Sequence, residues 1–257
     1  MNKLLYKVIR KFLIKTTQSN NARKVYLGPL KGKKWIYSSG YSQYFMGDYE
    51  KEVVDIFYEY AEKSKVIYDI GANIGYYTLI ASKAANDNSK VYAFEPFPEN
   101  VIALKKNIEV NNNSNIMVLE FAISNKIGRA SFSNSDNNVA NTLCEDSPTF
   151  KNNKSIEVRT ITIDDLILNN TIEVPDLIKM DVEGTELEAL IGAEETLKKY
   201  HPVIFLSTHN CHVPGIHKKC IDYLENLGYE IEYLNFRENK TKNDDPWYEV
   251  LARYKPN

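Results

Sequence analysis

The chain has 257 residues, 43% of them hydrophobic, which is enough for one α/β domain with a sizeable core and a terminal extension. Its net charge of −2 hides an asymmetry. Residues 1–34 hold ten Lys or Arg and no Asp or Glu, whereas residues 35–257 hold 22 against 34, a net −12. This acidic body argues against a nucleic-acid partner, and without a run of 18 apolar residues no membrane-spanning helix is predicted.

The three cysteines, Cys144, Cys211 and Cys220, are an odd number and have no C-x-x-C spacing. This pattern predicts neither a disulfide framework nor a structural zinc site. The first residues also lack the apolar core and small-residue cleavage site of a signal peptide. We therefore expect free thiols and a cytoplasmic protein.

The N-terminal part of the chain carries its own signals. Residues 3–15 place six apolar side chains at helical spacing, with five Lys or Arg between them. Such a basic amphipathic helix either lies on an anionic membrane, at its inner face, or packs on its own domain or on a second copy in a homodimer. Residues 25–37 carry Gly-Pro and Lys-Gly turn signals that predict a small hairpin. We expect residues 1–45 to form an extension and residues 46–257 to form the main domain.

The stretch from Val66 to Glu95 is the most informative one. Val66–Ile70 is an apolar, β-branched run that predicts a buried parallel strand, and residues 76–85 then predict a helix. Residues 91–94 predict a second strand, which ends at Glu95. This βαβ unit suits an adenosine ligand, because its glycine turn lets the backbone approach and the acid can accept from both ribose hydroxyls.

The sequence of the turn indicates which ligand we expect at this site. Dinucleotide sites use G-x-G-x-x-G, whereas residues 69–75 read D-I-G-A-N-I-G, with Gly71 and Gly75 as the two glycines. Asp69 ahead of the turn and Asn73 inside it do not favour a pyrophosphate, which a carboxylate repels. S-adenosylmethionine (SAM) carries an ammonium and a sulfonium and no phosphate, so we expect SAM at this turn. An ordinary βαβ unit without a ligand is the alternative.

The remaining chain continues to alternate strands and helices. Helices are expected over about residues 50–63, 98–111, 185–200 and 217–228, with a short one from Asp164; strands over residues 116–123, 128–133, 155–163, 175–180, 203–206, 229–236 and 248–254. Residues 134–153 form a long polar loop, at a position where a substrate lid could lie.

Polar residues end several of these strands: Asp69, Glu95, Glu120, Asp181 and Ser207 to His209. Ligands of open α/β sheets bind outside the carboxyl ends of the strands, so these side chains predict one site. An alcohol that accepts a methyl group loses its proton during the attack, so it needs a base to take the proton or a metal to stabilise the deprotonated oxygen. The catalytic candidates are Asp181, Glu183 and His209. One intervening residue would point the two acids to the same side in an extended backbone.

Three motifs together resemble the FkbM family of SAM-dependent methyltransferases: D-I-G-A-N-I-G from Asp69, F-E-P from Phe94 and K-M-D-V-E-G-T-E from Lys179. The likeness runs from about residue 47 to about residue 229. It implies a class I methyltransferase with a Rossmann-like α/β fold: a mostly parallel seven-stranded sheet with an antiparallel C-terminal strand and helices on both faces. It also implies O-methylation of sugars, glycans or glycosylated metabolites.

The resemblance adds candidate residues. In the family a G-x-Y-E segment packs over the cofactor, and residues 47–50 match it, which implies contacts from Tyr49 and Glu50. Pro96 completes the F-E-P motif, and class I enzymes place the adenine wall where this chain has Glu120 and Phe121. Many relatives have an acid-x-His pattern where this chain has Ser-Thr-His, which leaves His209 as the candidate base or substrate contact.

Several alternatives stay open at this point. Asp181 with His209, His212 and His217 could hold a divalent cation, but H-x-x-H in a loop has no preset geometry, and no resident metal is expected. No D/N-P-P-Y/F motif and no Pro-Cys nucleophile is present, which favours an oxygen acceptor. The alternative functions are a magnesium-assisted methyltransferase of small molecules or lipids and a non-catalytic SAM-binding scaffold. An NAD-dependent reductase ranks last.

Overall fold

The structure, a computed structural model, describes residues 22–36, 43–44, 47, 49–86, 88–134, 154–237 and 247–256. The helix expected over residues 3–15, Cys144 and nearly all of the loop expected over residues 134–153 lie outside these ranges. Within the described ranges, no helix has the length and apolar character needed to cross a membrane.

In chain order the strands are β1 (Ala22–Lys24), β2 (Lys34–Ile36), β3 (Val66–Ile70), β4 (Lys90–Phe94), β5 (Ile116–Leu119), β6 (Ala122–Ile123), β7 (Gly128–Asn134), β8 (Lys154–Ile161), β9 (Leu177–Met180), β10 (Val203–His209), β11 (Tyr229–Arg237) and β12 (Trp247–Tyr254). The helices are α1 (Lys51–Ala61), α2 (Tyr76–Ala84), α3 (Pro98–Glu109), α4 (Ile163–Leu168), α5 (Glu186–Ile191), α6 (Glu194–Tyr200) and α7 (Ile216–Asn226).

Seven strands form the main sheet in the order β11-β12-β10-β9-β3-β4-β5. The five strands from β10 to β5 are parallel, and β12 runs antiparallel to both of its neighbours. Every residue of β3 and β9 is buried, as expected for parallel strands covered on both faces. The predicted class I Rossmann-like fold, with its antiparallel C-terminal strand, is confirmed.

Helices cover both faces of this sheet. One core includes buried side chains of α5, α6 and α7, among them Leu190, Leu197 and Leu224. The other core includes Phe57 of α1 and Leu79 of α2. The chain order turns back between β3 and β9, so a crevice opens at the carboxyl ends of these two strands. Ligands of such folds bind at this switch point.

The predicted hairpin is present as the antiparallel pair β1–β2, but its first strand, Ala22–Lys24, precedes the expected range of 25–37. Its Trp35 is fully buried and packs edge-on against the rings of Tyr44 and Tyr76. Asn107 of α3 accepts a hydrogen bond from the backbone N–H of Ile36 at 2.9 Å. The hairpin is therefore part of the same core as α1 and α2.

Two predicted elements are interrupted. The strand expected over residues 116–123 ends at Leu119, and β6 joins β8 and β7 in a separate three-stranded sheet. The helix expected over residues 185–200 is broken into α5 and α6 beside Gly192. A Cβ there would lie 2.0 Å from the carbonyl oxygen of Ser124, so the turn after β6 packs directly on the break.

The fifth parallel strand is longer than predicted. Instead of ending at Leu206, β10 continues to His209, because β12 pairs with it up to the contact of His209 with Trp247. His209 therefore stands on a strand of the main sheet and not in the loop where the sequence placed it.

Candidate active site

The turn after β3 is shaped by residues with left-handed backbones. Gly71 has φ +83°, Asn73 φ +50° and Gly75 φ +97°. A Cβ on Gly71 would lie 1.8 Å from the carbonyl oxygen of Asp181, and a Cβ on Gly75 would lie 2.5 Å from Leu104. The first glycine thus lets the turn after β3 touch the chain that leaves β9, and the second lets α2 pack on α3.

A cavity lies at the carboxyl ends of β3, β4 and β9. Nine of the residues predicted from the sequence line it: Tyr49, Asp69, Gly71, Asn73, Glu95, Pro96, Phe121, Asp181 and Glu183. Lys179, Tyr77 and Asn100 also line it. The turn after β3 and the chain after β9 thus share one cavity, as the pattern of polar strand ends predicted.

Glu95 is nearly fully buried at the end of β4. Its carboxylate accepts hydrogen bonds from the backbone N–H of Asn73 at 2.7 Å, from that of Phe97 at 2.9 Å and from the Asn100 amide at 3.5 Å. Burial raises the pKa of Glu95 to about 7, although these three donors lower it. The carboxylate therefore fixes the glycine turn and lines the cavity at the same time.

Asp69 lies beneath the turn, 2% exposed, and accepts a hydrogen bond from the Thr78 hydroxyl of α2. Burial raises the pKa of Asp69 to about 6, against the lowering effects of Thr78 and Lys179. This carboxylate joins β3 to the first turn of the following helix.

Lys179 is a buried cation that the sequence analysis quoted only within a motif. It is 1% exposed, and its Nζ lies 2.5 Å from Ser207 Oγ and 3.5 Å from Asp181 Oδ2. The Ser207 hydroxyl in turn lies 2.7 Å from Glu249 Oε2. Burial alone would lower the pKa of Lys179, but Asp181, Glu249 and other carboxylates hold it above its ordinary value. A lysine inside the apolar strand L-I-K-M was the signal that could have identified it.

Asp181, Glu183 and His209 come together where β9 and β10 end. His209 Nε2 lies 3.5 Å from Asp181 Oδ1 and 3.5 Å from Glu183 Oε2. Glu183 has φ +56°, a conformation that costs a non-glycine residue on the order of 1–3 kcal/mol. Among the described residues, Asp181 Oδ1 is buried without a hydrogen-bond partner. The three predicted catalytic residues are therefore neighbours.

Glu186 holds the other side of the His209 ring. It is fully buried at the start of α5, and its Oε1 lies 2.8 Å from His209 Nδ1 and accepts from the backbone N–H of Gly184 at 3.0 Å. Burial would lower the pKa of His209, but Glu183, Glu186 and Asp181 raise it well above its ordinary value. His212 Nε2 lies 2.9 Å from Glu183 Oε2. The sequence analysis missed Glu186, because an acid at a helix start is ordinary.

Other predicted residues lie elsewhere. Glu50 accepts a hydrogen bond from the Tyr77 hydroxyl at 2.8 Å, behind the cavity lining. Glu120 is exposed and forms an ion pair with Lys105 at 2.5 Å. His217 lies between Thr208 and Tyr233 and stacks on Tyr248, away from the acidic cluster, and burial lowers its pKa to about 4. Contacts of these and of all other predicted residues with a cofactor stay predictions.

A match to a family model shows the family of this chain. The methyltransferase FkbM domain matches residues 69–231. The hexuronic acid methyltransferase AglP of Haloferax volcanii is 32% identical over 162 residues, which are 60% of this chain and 61% of that protein. The chain thus matches about three fifths of the length of this relative.

Two solved structures share the fold. Methyltransferase FkbM of Methylobacillus flagellatus superposes with a TM-score of 0.50 at 20% identity, over 83% of this chain and 52% of that one. A protein of Pyrococcus horikoshii superposes with a TM-score of 0.51 at 16% identity, over 93% and 74%.

Proposed function

Because this chain belongs to the FkbM family of methyltransferases, we propose that it uses SAM to methylate a hydroxyl group of a sugar, a glycan or a glycosylated metabolite. The observation that carries the proposal is the meeting of Asp69, Glu95 and Asp181 at one cavity. Carboxylates suit a ligand that brings an ammonium, a sulfonium and two ribose hydroxyls, and they do not suit a pyrophosphate. This donor set supports SAM as the cofactor.

The residues on the cofactor side of the cavity would each have a separate role in binding SAM. Glu95 is held by three donors and still lines the cavity, so its oxygens can accept the ribose hydroxyls. Phe121 lines the same cavity, with the Arg159 guanidinium 4.4 Å above its ring centre, and offers a flat wall for adenine. When bound, SAM supplies a methyl group that forms a bond to the acceptor oxygen, while the carbon–sulfur bond breaks and leaves its electron pair on sulfur.

The acceptor side is the cluster of Asp181, Glu183 and His209. A sugar hydroxyl has a high pKa and must lose its proton as it attacks the methyl group. The cluster offers carboxylate and imidazole groups at the edge of the cavity that Asp181 and Glu183 line. These residues would hold the hydroxyl in line and stabilise its deprotonated form, by a base or through a cation.

The similarity to the relative supports the proposed acceptor class. AglP is a hexuronic acid methyltransferase, and 32% identity over the matched part supports a sugar hydroxyl as the acceptor of this chain as well. Contact with a membrane through residues 1–15 rests on the sequence alone. Deleting residues 1–20 should lower binding to anionic liposomes and leave SAM affinity unchanged, and equal liposome binding by both proteins would remove that part of the proposal.

The proposal is tested first by calorimetric titration with SAM and with S-adenosylhomocysteine. Glu95→Gln, which keeps the size of the side chain, and Glu95→Ala should weaken binding at least tenfold. The matched control is Glu109→Ala, an exposed acid of α3 outside the cavity. Transfer of a labelled methyl group to hexuronic acids, neutral sugars and sugar nucleotides then identifies the acceptor. No SAM binding by a folded chain would refute the cofactor, and binding without transfer to any sugar would favour a scaffold.

A further inference from the structure

We propose that Asp181, Glu183 and His209 bind one divalent metal cation. Each of these residues offers one ligand atom, and the three atoms all lie within 4.8 Å of one another. Around a cation with bonds of about 2.1 Å, neighbouring ligand atoms are about 3.0–3.4 Å apart. The separations of 3.5 Å from His209 Nε2 to Asp181 Oδ1 and to Glu183 Oε2 are close to that spacing. Only small side-chain adjustments would bring the three atoms into coordination.

The imidazole is oriented as a metal ligand requires. Its Nδ1 lies 2.8 Å from the fully buried Glu186, which leaves Nε2 directed at the two carboxylates. A histidine that binds a metal commonly donates its other ring N–H to a carboxylate in this way. Glu186 is therefore a positioning residue of the site, and it is itself held by the backbone N–H of Gly184.

One unpartnered atom points to a cation in this cluster. Asp181 Oδ1 is buried without a hydrogen-bond partner among the described residues, and it faces the largely buried imidazole of His209. A buried carboxylate oxygen without a hydrogen-bond donor is unfavourable. The carboxylate of Glu183 also faces His209 Nε2, with its Oε2 3.5 Å away. One cation between the three groups would supply the missing partner of Asp181 Oδ1, and Glu183 Oε2, which lies 2.9 Å from His212 Nε2, keeps a second lone pair for it.

A protonated imidazole is the competing explanation of the same cluster. An N–H that donates to a carboxylate lies about 2.7–3.2 Å from the oxygen. His209 Nε2 is 3.5 Å from both oxygens and so makes a short hydrogen bond to neither. The spacing fits ligands of a common ion better than a donor and its acceptors.

Two carboxylates and one imidazole, without a thiolate, favour Mg²⁺ or Mn²⁺, with Zn²⁺ as a further possibility for the imidazole. Asp181 and Glu183 line the cavity, so the free positions of the cation would face it. If the proposed function holds, an acceptor hydroxyl would bind there and lose its proton to water more readily, because a cation lowers the pKa of a bound hydroxyl. His209 would then serve as a ligand and not as the base.

The test uses the full chain after EDTA treatment and titrates it with Mn²⁺, read by the loss of the electron paramagnetic resonance signal of free Mn²⁺. We expect one site per chain, weakened at least tenfold in Asp181→Asn and in His209→Gln. Glu186→Gln, which changes the partner of His209 and no ligand, should weaken binding by about 10–100-fold. The matched control is Glu188→Gln, an acid of the same helix outside the cluster, which should bind Mn²⁺ like the wild type.

The outcomes separate this proposal from the proposed function. Thermal melting checks that each variant is folded, and SAM affinity is measured on the same samples. If the chain binds SAM but takes up no Mn²⁺, Mg²⁺ or Zn²⁺, the metal site is overturned and the cofactor proposal stands. Full methyl transfer in the presence of EDTA would have the same meaning. A chain that binds Mn²⁺ through Asp181 and His209 but binds no SAM would support the metal site and refute the proposed function.

Discussion

Replacing Gly71 with alanine would drive a methyl group into the backbone at the end of β9. The new Cβ would lie 1.8 Å from the carbonyl oxygen of Asp181, whereas real Cβ contacts are essentially never shorter than 3.0 Å. The two segments would have to separate by more than about 1.2 Å, a displacement of the size that overpacking produces. Hydrogen bonds from Gly71 N to Phe94 O and from Asp181 N to Ile70 O hold both segments in place.

The cost has two parts. A non-glycine residue at φ +83° costs about 1–2 kcal/mol, and overpacking against fixed backbone typically adds about 1–3 kcal/mol. Gly215→Ala isolates the first part, because Gly215 has φ +79° but its Cβ would meet no atom within 4 Å. We therefore expect Gly71→Ala to lower the free energy of unfolding by about 2–5 kcal/mol and Gly215→Ala by about 1–2 kcal/mol.

The assay is equilibrium unfolding in urea, followed by calorimetric titration with SAM under folding conditions. Gly71→Ala should also weaken SAM binding at least tenfold, since it displaces Asp181 and the glycine turn together, whereas Gly215→Ala should bind SAM normally. Equal stability losses in the two variants, with unchanged SAM affinity in both, would contradict the predicted clash between the new Cβ and Asp181.

Three further predictions follow from buried side chains. Because the folded pKa of Glu95 is raised from 4.5 to about 7, its stabilising effect is fully present below pH 4.5 and is lost as the pH rises through 7. This group should lower the free energy of unfolding by up to about 3 kcal/mol across that window. Glu95→Gln should remove this part of the fall between pH 5 and pH 7.5, measured by urea unfolding, while the part due to Asp69 and Glu249, whose pKa values are also raised, remains. Lys179→Met leaves the carboxylates of Asp181 and Glu249 without their cation and should lower the free energy of unfolding by about 3–5 kcal/mol. The added change Glu249→Gln should restore part of this stability, and a strictly additive double-mutant cycle would contradict the coupling between Lys179 and Glu249. Trp35→Ala removes a fully buried ring and should cost about 3–5 kcal/mol in a single cooperative transition, whereas a separate low-stability transition would mean that the hairpin folds independently.

Local signals were enough to predict most of the fold. The apolar run of β3 is buried on both faces, and its hydrophobicity identified it as a buried parallel strand. The interruptions were not predictable in the same way. The break beside Gly192 depends on the carbonyl of Ser124, nearly 70 residues earlier in the chain, and no local pattern carries that contact.

The candidate site, like the fold, could be predicted only in part. Asp69, Glu95 and Asp181 were identified because each ends a strand, and topology alone brings such residues to one edge. The roles of Lys179 and Glu186 depend on partners across the sheet, Ser207 and His209, and on the alignment of neighbouring elements. The spacing of residues along the sequence does not predict which buried charged side chains will be in contact.

The pairing of β12 with β10 has a consequence for the order in which the protein is made. Until residues 247–254 have been synthesised, β10 is an open edge of the sheet, and Glu249 cannot reach Ser207. A nascent chain that already contains every candidate site residue would therefore still lack β12, the strand in which Trp247 pairs with His209. Completion of the candidate site therefore depends on a strand that contributes none of the predicted site residues.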